Sequence, residues 1–590
     1  MSIKRQYANF AGVDFKNDEG FVNLNRSPDA LNVYKNYTSE GGCIETRPGY
    51  VELADFTDKI NGLHIYSSSV VLVHAGAKLY LWNNFPNAPQ NPTVLSATMN
   101  DAKSMSFIFN NKLYINDGSN YLVYDGTLRS VSQDAYIPTT SIGRKPAGGG
   151  TMYQDVNVLQ PKRINTFVGD GTSTDYFLDA TNITSVDSVY VDDVLTADYT
   201  VDTTLGKVSF TNAPAASVLG SDNVKIEFSK TTSGYSTRIS ACTKSQVFDN
   251  RVFFSGNPSY PNAIFHSELD NPAYISDLSY YQDGTSEAKI KDITVGNNIL
   301  WVFKEPNQEN ATVFYHVPTT SREYGRIYPN KQGNVSTGCY SKAINFSDDI
   351  VFLSKYGLEG ITGDIEQEQL LTHRSSMVDN KLVNLTGYAD AEMTEWQGYL
   401  MILVDGKLFL ADSRQKFQEI NGLEYEWYFW SVENAQPRIL KEYRGSLYIG
   451  SSNGLIFQFK GTNDNGVAIN SYWTTPMDAF GYSNMLKTTN KRGGVARIKT
   501  IPNGMIKIAE RTNKKSLKTI AIKSASGFNF ADVDFGNFSF TTENQSYVVY
   551  KIKEKKFLTI SLKFYSDELD KPFGLYSAVL EAFVGGYVKR

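Results

Sequence analysis

Short apolar runs separated by polar turn residues fill most of the chain, and their order repeats. Between Arg238 and Tyr274 three such runs, Cys242 to Phe248, Arg251 to Gly256 and Ala263 to Leu269, are divided by Asp249-Asn250 and by the breaker cluster Asn257 to Asn262. Runs of this length bounded by Asn, Asp, Gly and Pro predict strands joined by turns. Val252, Phe253 and Phe254 are consecutive apolar residues, so the middle strand is expected to be buried on both faces.

The same three-run unit recurs elsewhere. It is seen around Leu63 to Trp82, Met105 to Tyr124, Ile290 to Tyr315, Lys342 to Thr362, Ala391 to Ala411 and Arg438 to Phe459. Units of this size, each with a doubly buried middle strand, predict a β-propeller of six or seven blades. No Trp-Asp or kelch signature marks the blades.

Outside the repeat, three regions read differently. In residues 1–50, Ser27-Pro28-Asp29 carries the signals of a helix start: a capping hydroxyl, a proline where no N–H is needed and an acid complementing the dipole. Residues 51–140 hold the first blades, and residues 141–165, with Lys145 to Gly150, read as a Gly-rich linker. Residues 166–230 then form five or six short strands, a small immunoglobulin-like β-sandwich inserted in the propeller. Its first half is acidic, with eight aspartates from Asp170 to Asp202 and no base between Arg163 and Lys207. No calcium-loop spacing appears among them, so a solvated face is the expected reading. Blades resume over residues 231–467, and residues 468–590 predict a C-terminal antiparallel β domain. The fold class is therefore all-β, in keeping with a composition that is 13% aromatic and includes 45 glycines.

The formal charge of -5 announces no nucleic-acid or membrane partner, but its distribution is uneven. From Lys487 to Lys523 there are eleven basic residues and one acid, Glu510. Alternation persists through this stretch, which predicts strands with one basic face bearing Arg497, Lys499, Lys507 and Arg511. A solvated face, an acidic protein neighbour and DNA are the three readings of it, with docking of a protein neighbour preferred over DNA.

Catalytic and metal-binding patterns are weak. Asp349, Glu395 and Asp405 lie near blade turns, where propeller glycosidases carry carboxylates, but the chain has 62 acids and no aspartate box. Gly450-Ser451-Ser452-Asn453-Gly454 matches the nucleophile-elbow pattern in letters, yet its setting between two apolar runs predicts a hairpin. The five histidines form no zinc motif, there is no phosphate loop, and Cys43, Cys242 and Cys339 are too dispersed for a zinc site or a disulfide framework. No enzyme activity, cofactor or metal is expected. The first residues lack the apolar core of a signal peptide and no run is long enough to span a bilayer, so a soluble protein made in a cytoplasm is expected.

Four stretches carry a resemblance. SPDALN at Ser27 to Asn32, GGCIETRPGY at Gly41 to Tyr50, NRVFFSGNPSYPNAIFHSELDNPAY at Asn250 to Tyr274 and GCYSKAINFSDDIVFLSKYGLEGI at Gly338 to Ile361 resemble the tail nozzle, or packaged-DNA stabilisation, proteins of short-tailed bacteriophages. The resemblance is scattered from Ser27 to Ile361 and spans most of the first two thirds of the chain. It implies a structural virion protein, assembled in the host cytoplasm into the tail. Copies, commonly six, would form a ring below the portal and adaptor proteins, contact tail fibres or spikes, and close a channel that retains packaged genome. Double-stranded DNA would pass without sequence-specific binding. The alternatives are a propeller depolymerase acting on surface polysaccharide and a receptor-binding tail module.

Overall fold

The computed structural model describes residues 2–37, 42–89, 92–322, 325–362, 370–419, 422–490, 493–524 and 545–587. It is all-β, of the propeller class, with seven four-stranded up-and-down sheets. Two compact units divide the chain, one of residues 1–60, 86–89 and 339–590, the other of residues 61–85 and 90–338.

The second unit holds blades one to four, which begin with strands Ile60–Ile65, Met105–Phe109, Lys244–Phe248 and Ile290–Gly296. The first unit holds blades five to seven, beginning with Cys339–Phe346, Glu392–Trp396 and Pro437–Tyr443. The first strands of blades two, three and four are successive neighbours, Lys244–Phe248 lying beside both Met105–Phe109 and Ile290–Gly296, and so are those of blades five, six and seven. In blades two to seven a two-residue turn joins the first two strands, and both turn residues have positive φ. Examples are Asn110-Asn111 at 48° and 59°, Asp249-Asn250 at 48° and 55° and Asn297-Asn298 at 54° and 59°. This geometry matches the strand twist and explains why Asn, Asp and Gly punctuate the repeat. The second strands Arg251–Ser255, Ile299–Lys304 and Tyr399–Val404 are buried at every position, as their unbroken apolar character predicts.

Each blade also has a fourth strand beyond the three runs. In blade seven it is Tyr50–Asp55, which pairs with Leu455–Phe459. The sheet is thus completed by residues from the start of the chain.

The insert is larger than residues 166–230. Thr139–Arg144, Thr151–Met152 and Lys162–Phe167, in the stretch expected to be a linker, are strands of its six-stranded sheet. Thr139–Arg144 runs parallel to Lys162–Phe167, which pairs on its other side with Val224–Ser229. The three glycines Gly148, Gly149 and Gly150 form the turn of a hairpin, all at positive φ. A three-stranded sheet, Asp175–Phe177, Lys207–Phe210 and Tyr199–Asp202, completes the sandwich around Phe167, Tyr176, Val189, Val208, Ile226 and Phe228.

The C-terminal domain is a sandwich built from both ends of the chain. Ser2–Ala8, Val33–Asn36 and Cys43–Thr46 join an eight-stranded sheet whose longest strand is Gly574–Tyr587. Ala30–Leu31 joins the five-stranded sheet by pairing with Ser471–Thr474. The helix expected from Ser27 therefore does not form. Ser27 Oγ does accept the Asp29 N–H at 3.2 Å, as a cap would, but it also donates to the Thr474 carbonyl at 2.7 Å, and strand pairing prevails over local propensity. Ala496, Ile498, Ile506, Ile508, Leu562, Phe564 and Leu580 fill the space between the two sheets.

Candidate functional site

The basic run does not form one face. In Gly494–Lys499 alternate residues Ala496 and Ile498 are buried, which turns Arg497 and Lys499 outward from the eight-stranded sheet. In Met505–Thr512 Ile506 and Ile508 are buried, and Lys507 and Arg511 belong to the five-stranded sheet instead. Because the two sheets share one core, the four residues divide between opposite outer faces of the sandwich.

All four also have partners in the same chain. Lys499 Nζ is paired with Glu45. Lys507 Nζ lies 2.6 Å from both Asp567 and Glu568, whose hydrogen bonds raise its pKa. Arg511 pairs with Glu19, and the Arg497 guanidinium sits 5.5 Å from the centroid of Tyr576. Much of the local surplus is therefore neutralised by acids from other parts of the sequence.

What remains exposed is the hairpin that follows. Lys515–Ser524 is a ten-residue strand that pairs with Met505–Thr512 and, among the described residues, is the last strand of the five-stranded sheet. Lys514, Lys515, Lys518 and Lys523 are exposed on or beside it, with Leu517 at 49% and Ile522 at 57%. Lys515 reaches Glu554 at 2.7 Å. Glu510, opposite Lys518 in register, has its carboxyl pushed up to about 7 by burial and by the adjacent Glu554. The sequence signal for this edge is lysine on both faces of one strand, a pattern that exposed sheet edges use.

A second exposed edge lies on the insert. Asp192-Asp193, at φ 49° and 62°, turns Ser185–Val191 into Val194–Thr196, the edge of the six-stranded sheet. Tyr199–Asp202 follows as the edge of the three-stranded sheet. Asp192, Asp193, Asp198 and Asp202 are exposed, beside Val194 at 68% and Leu195 at 63%. The other aspartates of the run serve the module itself. Asp170 accepts the Thr172 and Ser173 N–H groups, Asp175 pairs with Lys207, Asp179 accepts the Thr140 hydroxyl and Asp187 accepts the Ser229 hydroxyl.

The remaining candidate chemistry is structural. Asp349 is held by Arg374 at 2.9 Å and by the Tyr425 hydroxyl at 2.7 Å, and Asp405 accepts the Gly387 N–H at 2.8 Å. Glu395 is an exposed residue on the first strand of blade six. The Gly450 to Gly454 segment joins Ser446–Ser451 to Leu455–Phe459 as a hairpin, and the Ser452 hydroxyl faces the Gln436 side chain at 3.3 Å. His373 is clamped between Glu359 at 3.1 Å and Asp379 at 2.6 Å. Burial alone would lower its pKa, but bonds to both carboxylates raise it to about 10. His316, fully buried, faces Asp283 at 3.0 Å and the Tyr328 carbonyl at 2.8 Å. The three cysteines are buried and unbridged. Among the described residues no group of three or more His, Cys, Asp or Glu is arranged to hold a metal, and no helix is long and apolar enough to cross a membrane.

The stretches that carry the resemblance have architectural roles. Arg47 is fully buried, and its guanidinium makes bonds to Asn32 Oδ1 at 2.9 Å, the Pro48 carbonyl at 3.0 Å, the Ser431 carbonyl at 2.8 Å and both oxygens of Asp464. Thr46 Oγ1 contacts Ser471 Oγ at 2.9 Å and accepts the Phe573 N–H at 3.1 Å. At Gly49 a Cβ would stand 1.9 Å from the Asn463 carbonyl oxygen, so only glycine fits.

No family model and no curated protein matches the chain. Among solved structures, BamB from Moraxella catarrhalis aligns with a TM-score of 0.32 and 11% identity over 73% of this chain and 97% of its own. Hsv2 from Kluyveromyces lactis aligns with a TM-score of 0.24 and 9% identity over 65% of this chain and 98% of its own. An exo-beta-1,3-galactanase from Phanerochaete chrysosporium gives 0.21 and 8% over 57% of this chain and 95% of its own. At these scores the likeness decides nothing about function, and the fold rests on the strand order described above.

Proposed function

We propose that this chain is a structural protein of a short-tailed bacteriophage virion, a tail nozzle subunit whose copies form a ring that closes the DNA channel, retains the packaged genome and opens for ejection. The observation that carries the reading is the role of the motif residues. Ser27, Asn32, Thr46, Arg47 and Gly49 bind the N-terminal segment to the last blades and to the C-terminal sandwich. A signature spent on architecture fits a scaffold protein better than an enzyme. Asp349, Asp405, His316, His373 and Ser452 are engaged with structural partners, and Glu395 is exposed on the first strand of blade six. The same reading assigns no enzymatic activity, no cofactor and no sequence-specific DNA contact. Portal and adaptor proteins and tail fibres or spikes are the partners it implies.

The test is immunogold labelling of particles of the phage that encodes the chain, together with a mutant carrying an early stop codon in its gene. Label at the distal end of the tail, and particles that package DNA but lose it, are expected. Absence of the chain from particles would overturn the proposal. Release of reducing sugars from surface polysaccharide by the purified protein would favour the depolymerase alternative, and binding of the free protein to host cells the receptor-binding one.

A further inference from the structure

A cavity of about 240 Å³ lies between blade two and the Asp270 to Ala273 loop of blade three. Val123, Val131 and Pro272 give it apolar surface, and Tyr114, Asp270 and Asn271 bring polar groups to it. Tyr114 is only 6% exposed and its ring stacks on Phe107 with centroids 5.1 Å apart, yet its hydroxyl has no hydrogen-bond partner among the described residues. Buried polar groups are nearly always bonded, so an unpartnered one beside a cavity asks for a ligand or a water. Burial raises the Tyr114 pKa, which keeps the group a neutral hydroxyl able both to donate and to accept. Asn271 Oδ1 accepts the Ala273 N–H at 3.0 Å, which leaves the Asn271 amide NH2 free to donate. The loop itself is fixed in place. The Asp270 carbonyl accepts from Asn110 Nδ2 at 3.3 Å, the Pro272 carbonyl from the Tyr121 hydroxyl at 3.2 Å and the Ala273 carbonyl from Asn157 Nδ2 at 2.9 Å. The cavity is thus preformed, as ligand sites usually are.

We propose that this cavity binds one neutral sugar ring, a hexopyranose, with Tyr114, Asp270 and Asn271 as its hydrogen-bonding residues. Sugar hydroxyls each donate and accept, so they need a mixed set of partners, and the cavity has one: Asp270 accepts, Asn271 donates and Tyr114 does both. The apolar residues suit the C–H groups of the ring. The charges nearby argue against an anion. Lys112 and Asp134 also line the cavity, Lys112 held by Asp125 at 3.4 Å and Asp134 paired with Arg129, so that with Asp270 there are three acids to two bases. An amine would satisfy the carboxylates but leave the Asn271 donor unpaired. The volume is below the about 300–1,000 Å³ of pockets for drug-sized ligands, which fits one ring and not a longer chain. The assignment rests on the cavity alone and is independent of the nozzle reading.

The experiment is saturation-transfer difference NMR on the full-length chain, titrated separately with glucose, galactose, mannose, N-acetylglucosamine and, as an anionic probe, glucuronate. Saturation of the ring protons of at least one neutral sugar is expected, with the millimolar affinity that few contacts to a small ligand allow, and glucuronate is expected to bind more weakly. Tyr114→Phe keeps the ring stacked on Phe107 and removes a hydroxyl the fold does not use. Its melting midpoint is expected to equal or exceed that of the wild type, while sugar binding weakens roughly fivefold. Asp270→Asn, which tolerates the φ of 53° at this position, is expected to weaken binding roughly tenfold, because it removes a charged acceptor. No saturation of any neutral sugar would overturn the proposal. So would equal binding by the wild type and Y114F, which would put the sugar elsewhere on the protein, or tighter binding of glucuronate than of every neutral sugar.

Discussion

Arg47 and Asp464 form a buried two-pronged ion pair across 417 residues of sequence, with Nη1 2.8 Å from Oδ1 and Nη2 2.6 Å from Oδ2. The guanidinium is fully enclosed and the carboxylate nearly so. Removing one partner leaves a buried charge without compensation, which typically costs about 3–5 kcal/mol.

Asp464→Asn and Arg47→Met are therefore expected to lower the unfolding free energy of the unit containing blades five to seven, read by denaturant titration, each by that order. Lysine does not rescue, because it cannot make the planar fork. The double variant R47M/D464L, which removes both charges, is expected to lose less than either single variant. Equal losses in all three would show that the packing around the pair, rather than its charge, is what matters.

Lys499→Glu is expected to destabilise the C-terminal sandwich, because it sets a carboxylate against Glu45, itself mostly buried. The loss should approach the cost of an unpaired charge in a partly buried site, on the order of 2 kcal/mol. The double exchange E45K/K499E restores most of it. Thermal melts of the three variants check this. Unchanged stability in K499E would show that the Lys499–Glu45 pair contributes nothing to the fold.

Glu510 gives a pH dependence of known sign. Its folded pKa of about 7 is above the usual carboxylate value, so its contribution to stability is greatest below about 4.5 and is lost as pH rises through 7. Glu510→Gln removes the penalty of holding a buried charge beside Glu554. It is expected to raise the unfolding free energy at pH 8 by on the order of 1 kcal/mol, read as a higher melting midpoint, with the gain vanishing near pH 4.5. A gain that is constant with pH would assign the effect to packing.

The insert is expected to fold as a separate fragment of residues 137–231, because its core is formed by its own strands. A fragment of residues 166–230 is expected to stay unfolded, since it loses Thr139–Arg144 and most of Lys162–Phe167 from the middle of the sheet. Proton NMR dispersion distinguishes the two. The corresponding excision from the full chain is not neutral either, for Asn157 bonds to the Tyr136 and Ala273 carbonyls and Val158 packs in a core of blades two and three.

The parts of the fold that could be read from sequence are those fixed by neighbouring residues. Runs such as Ile299 to Phe303 and turns such as Asn297-Asn298 carry their conformation locally, and every three-run unit became a blade. Some fourth strands escaped because they are short and exposed, as Asn330–Gln332 is, and that of blade seven because it comes from a distant segment, Tyr50–Asp55. Ser27 misled because the bond it makes to Asp29 is the same in a helix cap and in this extended segment. Only Trp473, the register partner of Ala30, decides between them. At the candidate site the excess of lysine and arginine was legible, but its neutralisation was not. Glu19 and Glu45 lie more than 450 residues before their partners, and no local pattern announces them.

Ser2–Ala8 pairs with Ser577 to Phe583, and this has a consequence for how the protein is made. Seven blades and the insert are translated between this strand and its partner. At roughly 5–20 residues per second the interval is on the order of a minute. Throughout that time the C-terminal sandwich cannot form, and Tyr50–Asp55 waits for blade seven. A polypeptide that ends early keeps these N-terminal strands unpaired, open to chaperones and proteases. Only a chain translated as far as Phe583 can pair Ser2–Ala8, so synthesis through that strand is itself a condition for a soundly folded protein.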